Sequence, residues 1–565
     1  MNKVENLITE QIDIWTSAIK TKSSAGRGSS AKLELYGIKK LRELILELAV
    51  RGLLVPQDSS NEPASELLVR ISEERDLLIK EKKLKRQKKL PTISEDEMPY
   101  KKPQGWEFVR LNDIIQISSG NGLTAAQMNN EGSIPVFGGN GITGYHDSGN
   151  VDKQTIVIGR VGFYCGSIHI TPEEAWVTDN AFITTFSEEN IDIKFLFWLL
   201  KGTNLKENEN ATAQPVISGR KIYPIVVGLP PKSEQIKIVN CLESLNILCD
   251  QLEQQTDASI DAHEILVSTL LKALIDSASS SENGAEQFQQ AWERISENFD
   301  VLFTTENSVE QLKQTILQLA VMGKLVQQEQ NDEPASVLLE KIATEKAQLI
   351  KEKKIKKQKQ LPEITEDEKP FPLPSGWEWA RLGSLGIGAT GKTPSTKNPE
   401  YFDGNIEFIG PGQITPNGKM LESEKHISEL GMENSTEALP GDILMVCIGG
   451  SIGKSTISKK RIAFNQQINA IRPLFISPTF LNIALSTKYF YESVLDKATG
   501  SATPILNRGK WEELLVPISP IEEQKRIAVQ SEKLLSICDS LIKRINSAQS
   551  TQLDIADAIA YQSLS

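Results

Sequence analysis

Metal and disulfide chemistry have little to work with here, because 565 residues include only five cysteines and four histidines. Cys165, Cys241, Cys249, Cys447 and Cys538 are odd in number and form no CxxC pair, which argues against a zinc site or disulfide frame and suits a reducing compartment. His146, His169, His263 and His426 are not spaced with Cys, Asp or Glu as a metal cluster requires. No run of 18 apolar residues occurs, and the opening MNKVENLITEQIDIW lacks an apolar leader core. Membrane spanning and secretion therefore lose support, and a cytoplasmic protein is expected. Basic charge is also scarce: the net charge is −12 and the pI near 5.2, whereas nucleic-acid binders usually carry a basic footprint.

What the chain does have is a repeat. KLRELILELAVRGLLVPQ at 40–57 returns as QLKQTILQLAVMGKLVQQ at 311–328, and the match runs ungapped to GWEFVRL at 105–111 and GWEWARL at 376–382. About 40 of these 72 positions are identical at a constant offset of 271, far above what shared helix propensity produces, so the frame is duplicated. LPPKSEQIKIV at 229–239 recurs as ISPIEEQKRIA at 518–528 with an offset of 289. Two similar frames thus enclose two dissimilar inserts.

Within each frame Leu41, Leu44, Ile45, Leu48 and Ala49, and Leu312, Ile316, Leu319 and Ala320, recur at helical spacing, with Gly52 and Gly323 where a C-terminal cap belongs. Pro63 and Pro334 sit where a first helical position is expected, opening a helix of about 25 residues that ends in a basic run, Lys80 to Lys89 and Lys351 to Lys359. Ahead of the first frame, a helix-leaning stretch from Asn6 to Lys20 is broken by TKSSAGRGSS at 21–30, which reads as a surface loop. The inserts are glycine-rich, with short β-branched runs such as TIVIG (155–159) and DILMVCIGG (442–450), and read as compact mixed α/β domains. Each exits into a long amphipathic helix. Ile238, Leu242, Leu245, Cys249 and Leu252, resuming at His263, Leu266, Leu270 and Ala273, mark one seam. Ile527, Ser531, Leu534, Cys538, Leu541, Ile545, Ala548 and Ile555 mark the other. The spacing predicts coiled-coil packing, and some 45 helical residues would span on the order of 65 Å.

Strings that look catalytic do not hold. GIGATGKT at 386–393 fits a phosphate-loop pattern, but PSTKNPEYFDG follows in place of the helix a phosphate loop needs. FGGNG at 137–141 suggests an adenosylmethionine site, yet no Asn or Asp followed by Pro-Pro and an aromatic accompanies it.

These paired GWE openings, the EQ helix starts (Glu234-Gln235 and Glu523-Gln524) and the LxLAVxGxLV frame resemble the specificity subunit of type I restriction-modification systems, over nearly the whole chain. IPVFGGNGITGYHD, WVTDNAF, GKTPSTKNPEYFDGNI and AFNQQINAI resemble strings of that family's target-recognition domains. The resemblance implies an α+β fold: two globular target-recognition domains separated by long antiparallel coiled-coil helices, with an internal pseudo-twofold repeat. The divisions expected are a helical region at 1–103, a recognition domain at 104–228, a central helical region at 229–373, a second recognition domain at 374–517 and a C-terminal helix at 518–565. Each domain would read one half of a split, asymmetric site on double-stranded DNA. The partners implied are methyltransferase subunits, two of them, and restriction subunits. Adenosylmethionine, ATP and Mg would act on those partners, leaving this chain without cofactor, metal or catalytic residue.

Polar side chains on groove-facing loops are the candidates for base contact. They are Asn121, Gln127, Asn140, Tyr145, His146, Arg160 and Asn180 in the first domain, and Lys392, Thr393, Lys397, Asn398, Gln413, Lys454, Asn465, Gln466 and Arg508 in the second. The first insert carries 8 basic and 13 acidic residues and the second 14 of each, so weak DNA binding by the isolated chain is expected. An adaptor that joins proteins through its helices, and a nucleotide-binding enzyme at Lys392, remain as alternatives.

Overall fold

The computed structural model describes residues 8–22, 32–129, 131–162, 164–206, 216–279, 284–357, 359–500 and 503–564, so most of the loop expected at 21–30 lies outside them. Its packing divides the chain into two units, one holding residues 30–258 and 549–565 with the N-terminal stretch, the other 259–548.

In the first unit α1 (Ile12–Ser17), a hairpin of β1 (Lys20–Lys22) and β2 (Lys32–Glu34), α2 (Tyr36–Val50) and α3 (Ala64–Lys80) precede the insert. The expected apolar face of α2 is buried, and Gly52 closes the helix at φ +70°, with Leu53 N–H donating to the Leu48 carbonyl at 2.9 Å. A Cβ on Gly52 would sit 2.8 Å from Pro103 and Trp106, so this cap is also the seat of the GW motif. Trp106 then donates its indole N–H to Glu234 at 2.8 Å, and Gln235 accepts from the Asp192 N–H and donates to the Pro230 carbonyl. Arg110, nearly buried, joins the acidic turn through Glu97 and caps the Pro91 and Pro224 carbonyls. GWE, the acidic turn and EQ are thus parts of one junction.

The insert itself begins with β3 (Glu107–Arg110), which pairs antiparallel with its last strand, β11 (Val226–Leu229). Between them lie β4 (Ile115–Ser119), β5 (Ile134–Gly138), β6 (Gly141–His146), β7 (Ile156–Gly159), β8 (Ile168–Ile170), β9 (Trp176–Val177), β10 (Ala181–Phe186) and α4 (Ile193–Gly202). One sheet has the order β4-β10-β7-β8, the other β6-β5-β9 with β5 and β9 parallel. Then α5 (Lys232–Ser279) begins, its residues up to 258 belonging to this unit.

The second unit repeats the plan. After the rest of α5 come α6 (Gly284–Glu297), α7 (Phe299–Leu302), α8 (Glu306–Val321) and α9 (Ala335–Lys351). Gly323 closes α8 at φ +67°, Trp377 donates to Glu523 at 3.0 Å, Gln524 accepts from the Ser477 N–H, and Arg381 joins Glu368 at 2.7 Å. β12 (Glu378–Arg381) pairs with the final β21 (Leu515–Ile518). Between them are β13 (Gly386–Thr390), β14 (Phe402–Ile409), β15 (His426–Ile427), β16 (Glu437–Ala438), β17 (Ile443–Val446), β18 (Ser455–Ile457), β19 (Ile462–Phe464), β20 (Ile468–Pro473), α10 (Pro478–Leu485) and α11 (Lys488–Lys497). The sheets are β13-β20-β17-β18 and β15-β14-β19-β16, again with one parallel pair, β14 and β19. The inserts therefore share strand order despite their dissimilar sequences. α12 (Ile521–Leu564) ends the chain.

Several expectations are corrected. The α3 and α9 helices have 17 residues, and Lys82 and Lys353, both at φ 60°, end them through Lys83 and Lys354 N–H bonds to the Leu78 and Leu349 carbonyls. Most of the basic run therefore lies beyond the helix. Pro63 and Pro334 are extended N-cap residues, one place before the first turn. On α5 the later buried positions are Val267, Leu271, Leu274 and Ala278, while Leu266 is exposed. These positions step by four, three and four, and they face the core of the second unit, with Ile295, Leu302 and Leu312 among its members, so the buried stripe lies one place on from the expected one. On α12, likewise, Ala556 and Ala560 are buried and Ile555 is exposed. GIGAT is strand β13, so the phosphate-loop alternative loses its helix.

A further repeated piece was not visible as a constant offset. Ile8 to Trp15 and Ile295 to Leu302 share I-[TS]-E-[QN]-x-D-[IV]. Both place a short helix after a Gln11 or Asn298 cap with ψ 18°, and bury Trp15 or Leu302. The β1–β2 hairpin in the first copy, absent from the second, lengthens the connection that follows.

Candidate nucleic-acid interface

The matching sheets let the two inserts be laid over one another bond by bond. At the end of the β9 strand the Val177 carbonyl accepts from Asn121 N–H at 3.0 Å, as the Phe464 carbonyl after β19 accepts from Lys392 N–H at 3.0 Å. The Ala181 and Ile468 carbonyls accept from the N–H groups of Gly120 and Gly391. A Cβ on either glycine would collide with the facing strand's carbonyl oxygens, which is why both loops carry glycine there. Arg160 N–H donates to the Asn180 carbonyl and Cys447 N–H to the Gln467 carbonyl. After these come the G-x-x-x-G loops, with Gly162, Gly166, Gly449 and Gly453 all at positive φ between 84° and 95°. Finally the Arg160 and Cys447 carbonyls accept from Ile217 and Leu506 N–H. So Asn121 and Lys392, Asn180 and Gln467, Arg160 and Cys447, and Ser167 and Lys454 stand in equivalent places.

In the first insert the structure brings Asn121, Arg160 and Asn180 to this edge, where Arg160 lies 5.4 Å over the Phe182 ring and reaches Ser119 and the Asp179 carbonyl. Asn140 joins them at the exposed β5–β6 turn, held there because Gly139 packs against Gly159 and its carbonyl accepts from Ser167. Gln127, Tyr145 and His146 form a second group. Gln127 spends its side-chain carbonyl on its own turn at Thr124, which meets the hairpin through Asn129 N–H and the Tyr145 carbonyl. His146 contacts Trp176 edge-on at 5.2 Å, and that indole donates to the Asn121 carbonyl.

In the second insert Lys392, Thr393, Asn465 and Gln466 come together, with Thr393 Oγ1 donating to Gln466 Oε1 at 2.6 Å. Gln413 accepts from Gly410 N–H within its own turn, and a Cβ on Gly410 would be 3.5 Å from Asn465. Arg508 caps the Gly388 carbonyl and pairs with Glu512 at 3.3 Å, whose carboxyl burial pushes upward in pKa. Asn398 opens the short turn after Lys397 through its carbonyl, which accepts from Tyr401 N–H, and its side chain makes no cap bond there. Lys454 instead lines a cavity of about 520 Å³ with Lys313 and Tyr491. Asp179 and Trp176 were not among the expected contacts; the paired S-G-N and T-G-K strings before them were the available signal. Among the described residues no group of three or more His, Cys, Asp or Glu could hold a metal ion, and no helix is long and apolar enough to cross a membrane.

Residues 103–262 and 374–548 match the type I restriction modification DNA specificity domain. The chain belongs to the type I restriction-modification specificity family. Two specificity relatives from Escherichia coli align over almost everything. The EcoAI specificity subunit is 38% identical across 98% of this chain and 99% of its own length, and the EcoEI subunit 39% identical across the same shares. A chain from a solved structure of a type I restriction-modification system, 15% identical, covers 82% of this chain with a TM-score of 0.46.

Proposed function

We propose that this chain is the DNA-recognition subunit of a type I restriction-modification complex. In this reading the recognition domains, 104–228 and 374–517, each read one half of a bipartite, asymmetric duplex site. The observation that carries it is the pair of strand-end edges, built on the same backbone bonds but bearing different side chains, Asn121 and Asn180 against Lys392 and Gln467. Equal scaffolds with unequal polar tips suit two half-sites of unequal sequence. The remaining regions, 1–103, 229–373 and 518–565, would form the helical frame, its long helices running antiparallel as a coiled coil about a pseudo-twofold axis. Two methyltransferase subunits would dock there and restriction subunits would join them. Adenosylmethionine, ATP and Mg would serve those partners, while this chain supplies recognition and no catalytic group. The base-contact roles of the sixteen side chains belong to the same proposal, strongest for Asn121, Arg160, Asn180, Lys392, Thr393, Asn465 and Gln466.

The test is to co-express the chain with its companion methyltransferase in a methylation-free host and map every modified adenine. One bipartite, asymmetric motif that disappears when the chain is omitted is the expected result. No modification from an assembled, active complex would overturn the reading and favour the adaptor. Because neither insert is basic, we expect DNA binding by the isolated chain to be weak and to strengthen on addition of the companion; a salt titration of both by fluorescence anisotropy checks this.

A further inference from the structure

Asp179 and Gln466 occupy one position in the two inserts. Each is the first of the two central residues of a four-residue turn, 178–181 or 465–468, closed by Ala181 N–H to the Thr178 carbonyl and by Ile468 N–H to the Asn465 carbonyl, both at 3.1 Å. Each stands between the same two anchors, the bond from Asn121 or Lys392 on one side and the bond to Arg160 or Cys447 on the other. Both side chains are exposed.

Their surroundings differ: the Arg160 guanidinium reaches the Asp179 carbonyl where the second insert has buried Cys447, and the residue beneath each side chain differs as well. Under Asp179 lies Gly122, whose Cβ, were there one, would be 3.9 Å from the carboxylate. Among the described residues that carboxylate takes part in no hydrogen bond or ion pair. In the second insert Thr393 stands where Gly122 does, and its hydroxyl donates to Gln466 Oε1 at 2.6 Å. One acceptor site of the Gln466 amide oxygen is thereby taken, which leaves its NH2, with two donors, the stronger end to offer.

We propose that this position sets opposite hydrogen-bonding polarity in the two domains, Asp179 presenting an acceptor and Gln466 a donor to the base edge each meets. A carboxylate is acceptor-only, and near phosphates it is repelled, so on a reading edge it is tolerated only where a donor answers it. In the major groove those donors are the amino groups of cytosine and adenine. The donor offered by Gln466 calls for the acceptor edge of guanine, adenine or thymine. The first half-site should therefore demand an amino-bearing base at one position, and the second an acceptor-bearing base at its counterpart. This rests on the recognition reading above.

The test uses Asp179→Asn and Gln466→Glu, both isosteric, in the full chain assembled with its companion methyltransferase, with copurification checking assembly. Methylation mapping is expected to show that Asp179→Asn changes the base required at one position of one half-site and lowers methylation of the original site on the order of tenfold. The other half should stay unchanged, and Gln466→Glu should do the reciprocal. Competition by duplexes substituted one base pair at a time reads the same preference without turnover, so a variant that no longer methylates still decides. An unchanged motif with both variants, or changes falling in both halves at once, would overturn the polarity assignment while leaving a bipartite wild-type motif intact. A wild-type complex with no bipartite motif would instead overturn the recognition reading itself.

Discussion

The frames and the inserts each occur twice in the chain, but the two copies of each keep different things in common. Frame copies keep residues and geometry alike: Gly52 and Gly323, Trp106 and Trp377, Glu234 and Glu523, Gln235 and Gln524 recur with the same bonds. The inserts keep strand order and the backbone bonds at the strand ends while the side chains there have gone separate ways. Where a side chain is itself the joint, buried and hydrogen-bonded, substitution leaves an orphaned polar group. Where a side chain only tops a backbone turn, it is free to change. Identity therefore marks what holds the domains in place, and difference marks what they offer outward.

The comparison breaks most visibly at the tryptophans. Trp106→Ala or Trp377→Ala removes a buried ring and strands a buried carboxylate, so each should cost about 3–5 kcal/mol, measured by denaturant unfolding. Equal losses would show the two junctions to be equivalent, and a much smaller loss in one would separate them. Gly391→Ala should be milder in stability but sharp in effect, because a Cβ there meets the Asn465 and Phe464 carbonyls. Methylation should fall while the first half-site's sequence preference is kept, read from the relative use of singly mismatched sites.

The smallest effect is electrostatic. Burial raises the pKa of Glu234 and Glu523 above the ordinary carboxylate value, with the indole N–H pulling the other way. A folded pKa above the unfolded one means the folded state holds its proton longer. The associated stability is present below the unfolded carboxylate pKa and lost as pH rises through the folded one. Glu234→Gln and Glu523→Gln keep an acceptor for the indole and remove the titration. Their melting temperatures should therefore gain on the wild type as pH rises from the acidic side toward neutrality, and fall level with it or below at low pH.

Much of the frame was legible because its signals are local and repeated: helical spacing in α2 and α8, cap glycines, a constant offset. What was misread involves partners. The later stripe of α5 faces the second unit's core, and only Val267, Leu271 and their neighbours reveal its phase. The Ile8 and Ile295 pieces escaped because the inserted hairpin broke their offset. In the inserts the strands were visible as β-branched runs, but a parallel pair such as β5 and β9 joins residues some 40 apart with no periodic trace. The candidate site was half legible. Asparagine-rich loops pointed to Asn121 and Asn180, whereas the commitment of Gln127 and Gln413 to their own turns, and the exposure of Asp179, depend on bonds no spacing announces.

The central claim is that the two inserts are equivalent readers on equivalent joints. The most direct measurement is the methylation motif of a complex whose chain carries the second insert, residues 374–517, in both frames. We expect a site with the second half-sequence in both arms as an inverted repeat. Retention of the original asymmetric motif would contradict the claim, since recognition would then lie outside the inserts.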